Sequence, residues 1–152
     1  MQFESEAQAA MDTAVARGAV YADVRFGIVR DEHLEVRNGV VNGFSDSESR
    51  GFSVRALVDG AWGFASSANL SKPEVDRIAA LAVEVARASA KVKAEGIELL
   101  PAGKQIATFK TPFEIDPNDV SVNERITFLL DVEAEVRAAK GVTVGRAWMD
   151  AW

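Results

Sequence analysis

The single histidine of this chain is the first place to look for chemistry, because acidic residues precede it. His33 follows Asp31 and Glu32, and none of the 152 residues is a cysteine. Metal centres need clustered ligands and a Ser-His-Asp triad needs an imidazole, so either site would have to use His33. The stretch 31–33 is typical of a solvated hairpin tip, and weak capture of a stray metal ion is the alternative.

The serines and glycines do not form a recognised catalytic or nucleotide-binding motif. Ser45, Ser47 and Ser49 lack the Gly-x-Ser-x-Gly context of a nucleophile elbow. The glycines of Asp59-Gly60-Ala61-Trp62-Gly63 lack the order of a phosphate-binding loop, and they join two predicted strands rather than a strand and a helix. The sequence therefore predicts no catalytic residue and no metal ligand in this chain.

Three charged residues remain as candidates for binding. Asp23 and Arg25 alternate with apolar residues in one predicted strand, and Arg55 does so in another. Charges on the face opposite an apolar stripe are either solvated or lie against another domain or a bound peptide. We therefore predict Asp23, Arg25 and Arg55 as substrate- or partner-binding residues. An open sheet edge that accepts a peptide as an added strand is a further alternative.

The elements that position these residues lie between Tyr21 and Ser67. Asn38-Gly39 and Asp59-Gly60 supply the positive φ angles that tight hairpin turns need. Alternation of apolar and polar residues on either side of both turns predicts an antiparallel meander of about five strands. The predicted strands are 20–30, 34–37, 40–45, 51–58 and 61–65, with a polar loop at 46–50.

Helices are predicted at residues 4–17, 71–90 and 121–140. Ser71 with Glu74 and Ser121 with Glu124 have the spacing of capping boxes at the second and third of these helices. Residues 91–120 form a predicted connecting segment that contains a short strand at Gln105–Lys110. The fold class is therefore α+β: an antiparallel meander with helices packed on one face, plus a C-terminal helix and strand.

The domain organisation is predicted from the same pattern. Residues 1–152 form a single domain, made of a helix-meander-helix core at 1–90, the connecting segment 91–120, and a helix and strand at 121–152. The last predicted strand ends on an apolar pair without a polar tail, which is unusual for a natural terminus. We therefore expect the chain to be the N-terminal part of a longer protein.

Charge and hydropathy exclude several classes of partner. The net charge is -6 and the basic residues are scattered, which argues against direct binding of nucleic acid. The N-terminal stretch has acidic residues where a secretory signal carries basic ones, and the chain lacks an apolar run of membrane-spanning length. We predict a cytoplasmic protein without a membrane partner.

Several segments resemble the TldD/PmbA family, the modulators of DNA gyrase now regarded as zinc metallopeptidases. The resemblance covers nearly the whole chain and is closer to the TldD branch than to the PmbA branch. The matching segments are residues 16–25 (ARGAVYADVR), Arg37-Asn38-Gly39, residues 51–55 (GFSVR), residues 59–65 (DGAWGFA), residues 109–112 (FKTP), Asp116-Pro117 and the helix after Ser121.

The resemblance implies a function but no active site in this chain. The family's catalytic motif is His-Glu-x-x-x-His with a later cysteine ligand, and one histidine without cysteine cannot supply it. What it implies is the N-terminal, non-catalytic domain of a zinc peptidase that cleaves unfolded or flexible peptides. Its partners would be its own C-terminal catalytic domain, which this chain lacks, a homo- or heterodimer partner, and peptide substrates. A free-standing peptide- or partner-binding module is the alternative.

Overall fold

A computed structural model describes residues 3–100, 103 and 105–152 of the chain. Residues 101, 102 and 104, which belong to the predicted connecting segment, lie outside the described residues. None of the helices in the described part is both long and apolar enough to cross a membrane. The elements in chain order are α1 (Glu4–Ala16), β1 (Tyr21–Arg37), β2 (Val40–Val58), β3 (Ala61–Ser67), α2 (Lys72–Ala90), a 3-10 turn (Pro117–Asp119), α3 (Val122–Ala138) and β4 (Arg146–Ala151).

The strands form one antiparallel sheet in the order β3-β2-β1-β4, which confirms the predicted α+β fold class with a small difference in strand number. Both predicted hairpin turns are present, with φ of 51° and 79° at Asn38 and Gly39 and of 48° and 69° at Asp59 and Gly60. These left-handed angles are the ones that two-residue hairpin turns require. The turns therefore fix the register of β1 with β2 and of β2 with β3.

Two predicted breaks between strands are wrong. The stretch 31–33 continues β1, and the polar stretch 46–50 continues β2, so five short predicted strands become three. Ion pairs hold these polar residues in extended conformation: Arg30 donates to Asp46 with donor–acceptor distances of 2.9 and 2.5 Å. Arg125 of α3 pairs with Glu32. The predicted strand at Gln105–Lys110 is also wrong, since no regular structure forms there.

The helices lie close to their predicted bounds, but the two capping boxes differ. At α3, Ser121 accepts a bond from the Glu124 backbone nitrogen while the Glu124 carboxylate accepts one from the Ser121 nitrogen, which confirms the box. At α2, the Ser71 side chain makes no cap bond. Glu74 binds Arg77 instead, at 2.7 Å, and this bond lowers the pKa of Glu74 to about 2.

The contacts divide the chain into two compact units, and β1 and β2 contribute to both. Unit 1 comprises the described residues of Met1–Ile28 and Arg50–Lys104, and unit 2 comprises Val29–Ser49 together with those of Gln105–Trp152. The division of the sequence at residues 90 and 120 stays a prediction.

In unit 1, α2 packs on β3 and α1 packs on α2. Gly63 of β3 makes the first of these contacts possible, because a Cβ atom there would overlap the carbonyl oxygen of Ala82 and the backbone nitrogen of Ala86. Small residues allow the second contact, since Ala10 and Ala14 of α1 are fully buried. The core also contains Phe52, Val54, Ala56, Val58, Ala65, Val75, Ile78, Ala79, Ala82, Val83 and Ala86.

In unit 2, α3 packs on a sheet formed by β4 and the second half of β1. β4 pairs antiparallel with Glu32–Arg37. Leu34 and Val36 point to α3 and form a small core with Leu129. Because successive strand residues face opposite sides, His33, Glu35 and the side chains that pair with them lie on the other face of this sheet.

The turn between β1 and β2 is tied to α3 and to the start of β4. Asn38 accepts a bond from the Gly145 nitrogen at 3.1 Å, and its own nitrogen donates to the Gly145 carbonyl at 3.1 Å. The Gly39 nitrogen donates to Oε2 of Glu133 at 3.0 Å. Glu133 is fully buried, and its Oε1 lies 3.2 Å from Nε of Arg137. The pair Glu133–Arg137, four residues apart on α3, therefore includes a buried carboxylate.

Candidate functional site

The predicted binding residues lie on the face of the unit 1 sheet that points away from its core. Ala22, Val24 and Phe26 pack against the core, so the residues between them face the other way. We call this surface the outer face. It is formed by Tyr21, Asp23 and Arg25 of β1, Ser53 and Arg55 of β2, and Trp62 and Phe64 of β3.

Arg55 stands at the centre of the outer face and is held on two sides. Its Nε and one terminal nitrogen donate to Oδ2 of Asp23 at 2.8 and 2.6 Å. Its guanidinium carbon lies 4.8 Å from the ring centroid of Trp62, within the range of a cation–π contact. The hydrogen bond to Asp23 raises the pKa of Arg55 above its ordinary value. Arg55 is therefore a fixed positive charge.

The flanking side chains are more open. Arg25 lies 3.7 Å from Oδ1 of Asp23, and its side chain is 75% exposed. Phe64 stands opposite Arg55 in the pairing of β2 with β3 and is 58% exposed. Tyr21 packs edge-on against Trp62, with the ring centroids 5.7 Å apart. The surface thus combines two arginines and one aspartate with three aromatic rings.

This arrangement is suited to binding rather than to bond cleavage. Asp23 is engaged by Arg55, and arginine is unsuited to act as a general base because it does not lose its proton in proteins. Arginines and aromatic rings on a rigid sheet are instead typical of protein and peptide contact surfaces. With two positive charges and one negative charge, the three predicted residues are locally basic in a chain of net charge -6.

The structure brings Asp23 and Arg55 into direct contact and places Arg25 beside them, although their role in binding stays a prediction. Tyr21, Trp62 and Phe64 were not predicted as part of this site. A signal for two of them was present in the sequence: a two-residue turn at Asp59-Gly60 pairs Leu57 with Trp62 and Arg55 with Phe64.

His33 lies in unit 2 and not at a hairpin tip. Its Nδ1 is 2.6 Å from Oδ1 of Asp150, the residue opposite it in β4, and its Nε2 is 3.9 Å from Oε2 of Glu35. Glu35 accepts bonds from Arg146 at 2.7 Å and from Asn42 at 2.8 Å, and the bond to Arg146 lowers the pKa of Glu35.

A shallow pocket of about 260 Å³ lies next to His33. It brings together three groups that a hydrolytic triad would need, because Ser45 and Asp150 line it with His33. The Nδ1–Asp150 contact is the one that a triad would need, but among the described residues no hydrogen bond joins Ser45 to His33, and the nearest carboxylate oxygen to Nε2 is that of Glu35, at 3.9 Å. A base of the triad type needs a nitrogen directed at the nucleophile, so the prediction of no catalytic residue is retained as a prediction.

The zinc implied by the resemblance does not fit the described residues. A zinc centre takes three or four nitrogen, sulfur or oxygen ligands at about 2.0–2.3 Å. Within residues 3–100, 103 and 105–152, no group of three or more His, Cys, Asp or Glu side chains is arranged to hold a metal ion.

Comparison with known proteins shows that this chain is similar to one family model and to one metalloprotease. Residues 22–86 match the family model for PmbA/TldA metallopeptidase domain 1. The metalloprotease MJ0996 of Methanocaldococcus jannaschii is 24% identical over 130 residues. The match covers 86% of this chain and 29% of that protein, so the chain spans less than a third of its relative.

Solved structures with the same fold as this chain include the following three. A candidate modulator of DNA gyrase from Bacteroides thetaiotaomicron has a TM-score of 0.76 at 18% identity, covering 98% of this chain and 34% of its own. A second, from Thermotoga maritima, has a TM-score of 0.67 at 18% identity, covering 98% and 35%. TldE from Thermococcus kodakarensis has a TM-score of 0.59 at 13% identity, covering 96% and 35%.

Proposed function

We propose that this chain is the non-catalytic N-terminal domain of a longer zinc peptidase. The comparisons confirm its resemblance to the TldD/PmbA family, and residues 22–86 match the family's first metallopeptidase domain. The match to a first domain carries the proposal. The length relation supports it, because the metalloprotease relative is more than three times as long as the matched part. Catalytic zinc and its ligands would then belong to a C-terminal domain of the same protein.

In this proposal the outer face forms part of the wall of the substrate cavity, and the domain contributes to dimer assembly. Unfolded peptides present backbone amides, carboxylates and apolar side chains. Arg25 and Arg55 offer charge-assisted hydrogen bonds to carboxylates and carbonyls, and Phe64 offers an exposed ring. Assignment to the TldD branch and a cytoplasmic location belong to the same proposal.

The proposed cavity wall is tested by substituting Arg55 in the protein encoded by the full reading frame. Arg55→Ala removes a fixed cation from the outer face, so KM for an unstructured peptide should rise with little change in kcat. The loss of one charge-assisted contact predicts a rise of roughly 5- to 30-fold. Steady-state cleavage of a fluorogenic peptide measures both constants.

Arg77→Ala is the matched control, because Arg77 also pairs with a carboxylate but lies on α2. An unchanged KM in Arg55→Ala, with peptide still cleaved, contradicts the cavity wall and leaves the peptidase assignment standing. Absence of peptide cleavage by the full protein, or a stop codon directly after Trp152, contradicts the peptidase assignment itself. The latter result favours a free-standing binding module.

A further inference from the structure

Within unit 2, one side of β2 is an open sheet edge over residues Val40–Ser49. β3 pairs only with Phe52–Val58, and β1 lies on the other side of β2. Over Val40–Ser49, therefore, no strand of the described residues occupies the side away from β1. Every other residue of such a stretch directs its N–H and C=O groups outwards, where a further strand can pair with them.

Several of the features with which proteins usually prevent edge pairing are missing from this edge, and its only charged residues are Asp46 and Glu48. Val40–Ser49 contains neither proline nor lysine, and it is ten residues long. It also exposes apolar side chains, since Val40, Val41 and Phe44 are 63%, 45% and 49% exposed. A long edge with these properties is expected to have a partner.

The same unit contains a segment with the composition of a strand but without a strand partner. Gln105–Lys110 (QIATFK) was predicted to be a strand, yet it forms no regular structure, and no backbone–backbone hydrogen bond joins it to the other described residues. Ile106 and Phe109 are 84% and 86% exposed. Within one chain, then, an open edge and an unpaired strand-forming segment coexist without pairing with each other.

We propose that two copies of this chain associate by reciprocal strand addition, in which Gln105–Lys110 of each copy pairs with the Val40–Ser49 edge of the other. Six residues of the donor segment fit within the ten residues of the edge. Charge favours the pairing through Glu48, since Asp46 is already paired with Arg30, whereas the donor segment carries Lys110 and no acidic residue. Reciprocal pairing uses the same two surfaces on each copy, as a two-fold dimer requires. The inference rests on the dimer assembly of the proposed function and specifies its contact.

Proline substitutions at two neighbouring positions of the donor segment test the pairing. Each variant is the control for the other, because only one of the two N–H groups can face the edge. In a strand, the N–H groups of Ala107 and Thr108 point to opposite sides, so only one of them can bond to the edge. Proline removes the N–H group, and it is tolerated where that group faces solvent. One of the variants Ala107→Pro and Thr108→Pro should therefore raise the dimer dissociation constant at least about tenfold more than the other.

Sedimentation equilibrium over a range of concentrations measures the dissociation constant. A second variant acts on the edge: Phe44→Lys places a charge there and should weaken the dimer as well. Hydrogen exchange should show protection that appears on dimerisation in both Val40–Ser49 and Gln105–Lys110. Circular dichroism of each variant at low concentration verifies that the monomer is folded.

Two results overturn the inference, and they differ in what they imply. A dimer whose dissociation constant responds to neither proline nor to Phe44→Lys excludes strand exchange but leaves dimer assembly standing. A monomer at every accessible concentration contradicts both the exchange and the assembly of identical copies.

Discussion

At the scale of single residues, Glu133 shows how one carboxylate holds α3 and a hairpin turn together. It lies on α3, accepts the Gly39 N–H of the hairpin turn, and contacts Arg137 one helical turn further on. The space for it depends on Gly145, because a Cβ atom there would overlap the Glu133 carboxylate. A buried charge without its partners is costly, so these contacts must persist as a set.

Glu133→Ala should lower the free energy of unfolding by about 3 kcal/mol, since it leaves the Gly39 N–H unsatisfied and removes the partner of Arg137. Glu133→Gln retains an acceptor oxygen and should cost less. Urea denaturation measures both, with Glu135→Ala on the exposed side of α3 as the control. Equal stabilities for Glu133→Ala and Glu135→Ala would refute the role of Glu133.

The burial of Glu133 was not predictable from the sequence. Glu133 and Arg137 are four residues apart on a helix, which is the spacing of a common exposed ion pair. Fully buried glutamates are rare, and what selects this one is the position of the Gly39 N–H, contributed by a residue 94 positions away. The outer face was easier to predict, because the alternation of apolar and polar residues along the strands placed Asp23 and Arg55 on one side of the sheet.

At the scale of elements, the contact between α2 and β3 depends on a glycine in the strand. Gly63 lets the backbone of α2 approach the sheet at Ala82 and Ala86. A glycine inside a strand is typical of a bulge or of a close backbone approach, and the structure shows the close approach. The helix bounds were predictable from the apolar spacing of α2.

Gly63→Ala should destabilise the chain by more than about 2 kcal/mol, because the added methyl group forces α2 away from β3. Gly43→Ala is the matched control, since a Cβ atom at Gly43 meets no atom within 4 Å. We expect that control to change stability by less than about 0.5 kcal/mol. Thermal unfolding measures the stability of both variants. A Gly63→Ala protein as stable as the Gly43→Ala protein would contradict the close packing of α2 on β3.

At this scale, the main error of the sequence-based prediction was that it made β1 and β2 too short. Residues 31–33 and 46–50 are polar, so the alternation of apolar and polar residues that indicates a half-buried strand is absent there. Their extended conformation comes from the continued pairing of the two strands and from ion pairs such as Arg30–Asp46. Local sequence carries no signal for contacts of this kind, which join residues 16 positions apart.

At the scale of the whole molecule, the proposed function assigns the chemistry to a domain other than this chain. Its described residues contain no arrangement of ligands for a metal ion, and two of its predicted binding residues, Asp23 and Arg55, are held as an ion pair beside the Trp62 ring. Zinc peptidases need a metal-bound water as the nucleophile.

We therefore predict that the purified chain binds no stoichiometric zinc and cleaves no peptide. Native mass spectrometry with added zinc, and cleavage of a denatured protein substrate, provide the two measurements. His33→Asn controls for weak metal capture at the His33–Asp150 pair, which should be substoichiometric and lost in this variant. One zinc per chain, or peptide cleavage that a chelator abolishes, would refute the non-catalytic assignment.

The turn between β1 and β2 has a consequence for chemical ageing. Asn-Gly sequences deamidate when the glycine nitrogen attacks the asparagine side chain and closes a cyclic imide. Here the Gly39 nitrogen donates to Glu133, and the Asn38 side chain is held by the Gly145 nitrogen. Both reacting groups are thus fixed by the fold, so the hairpin that sets the strand register should also resist spontaneous deamidation for as long as α3 stays docked.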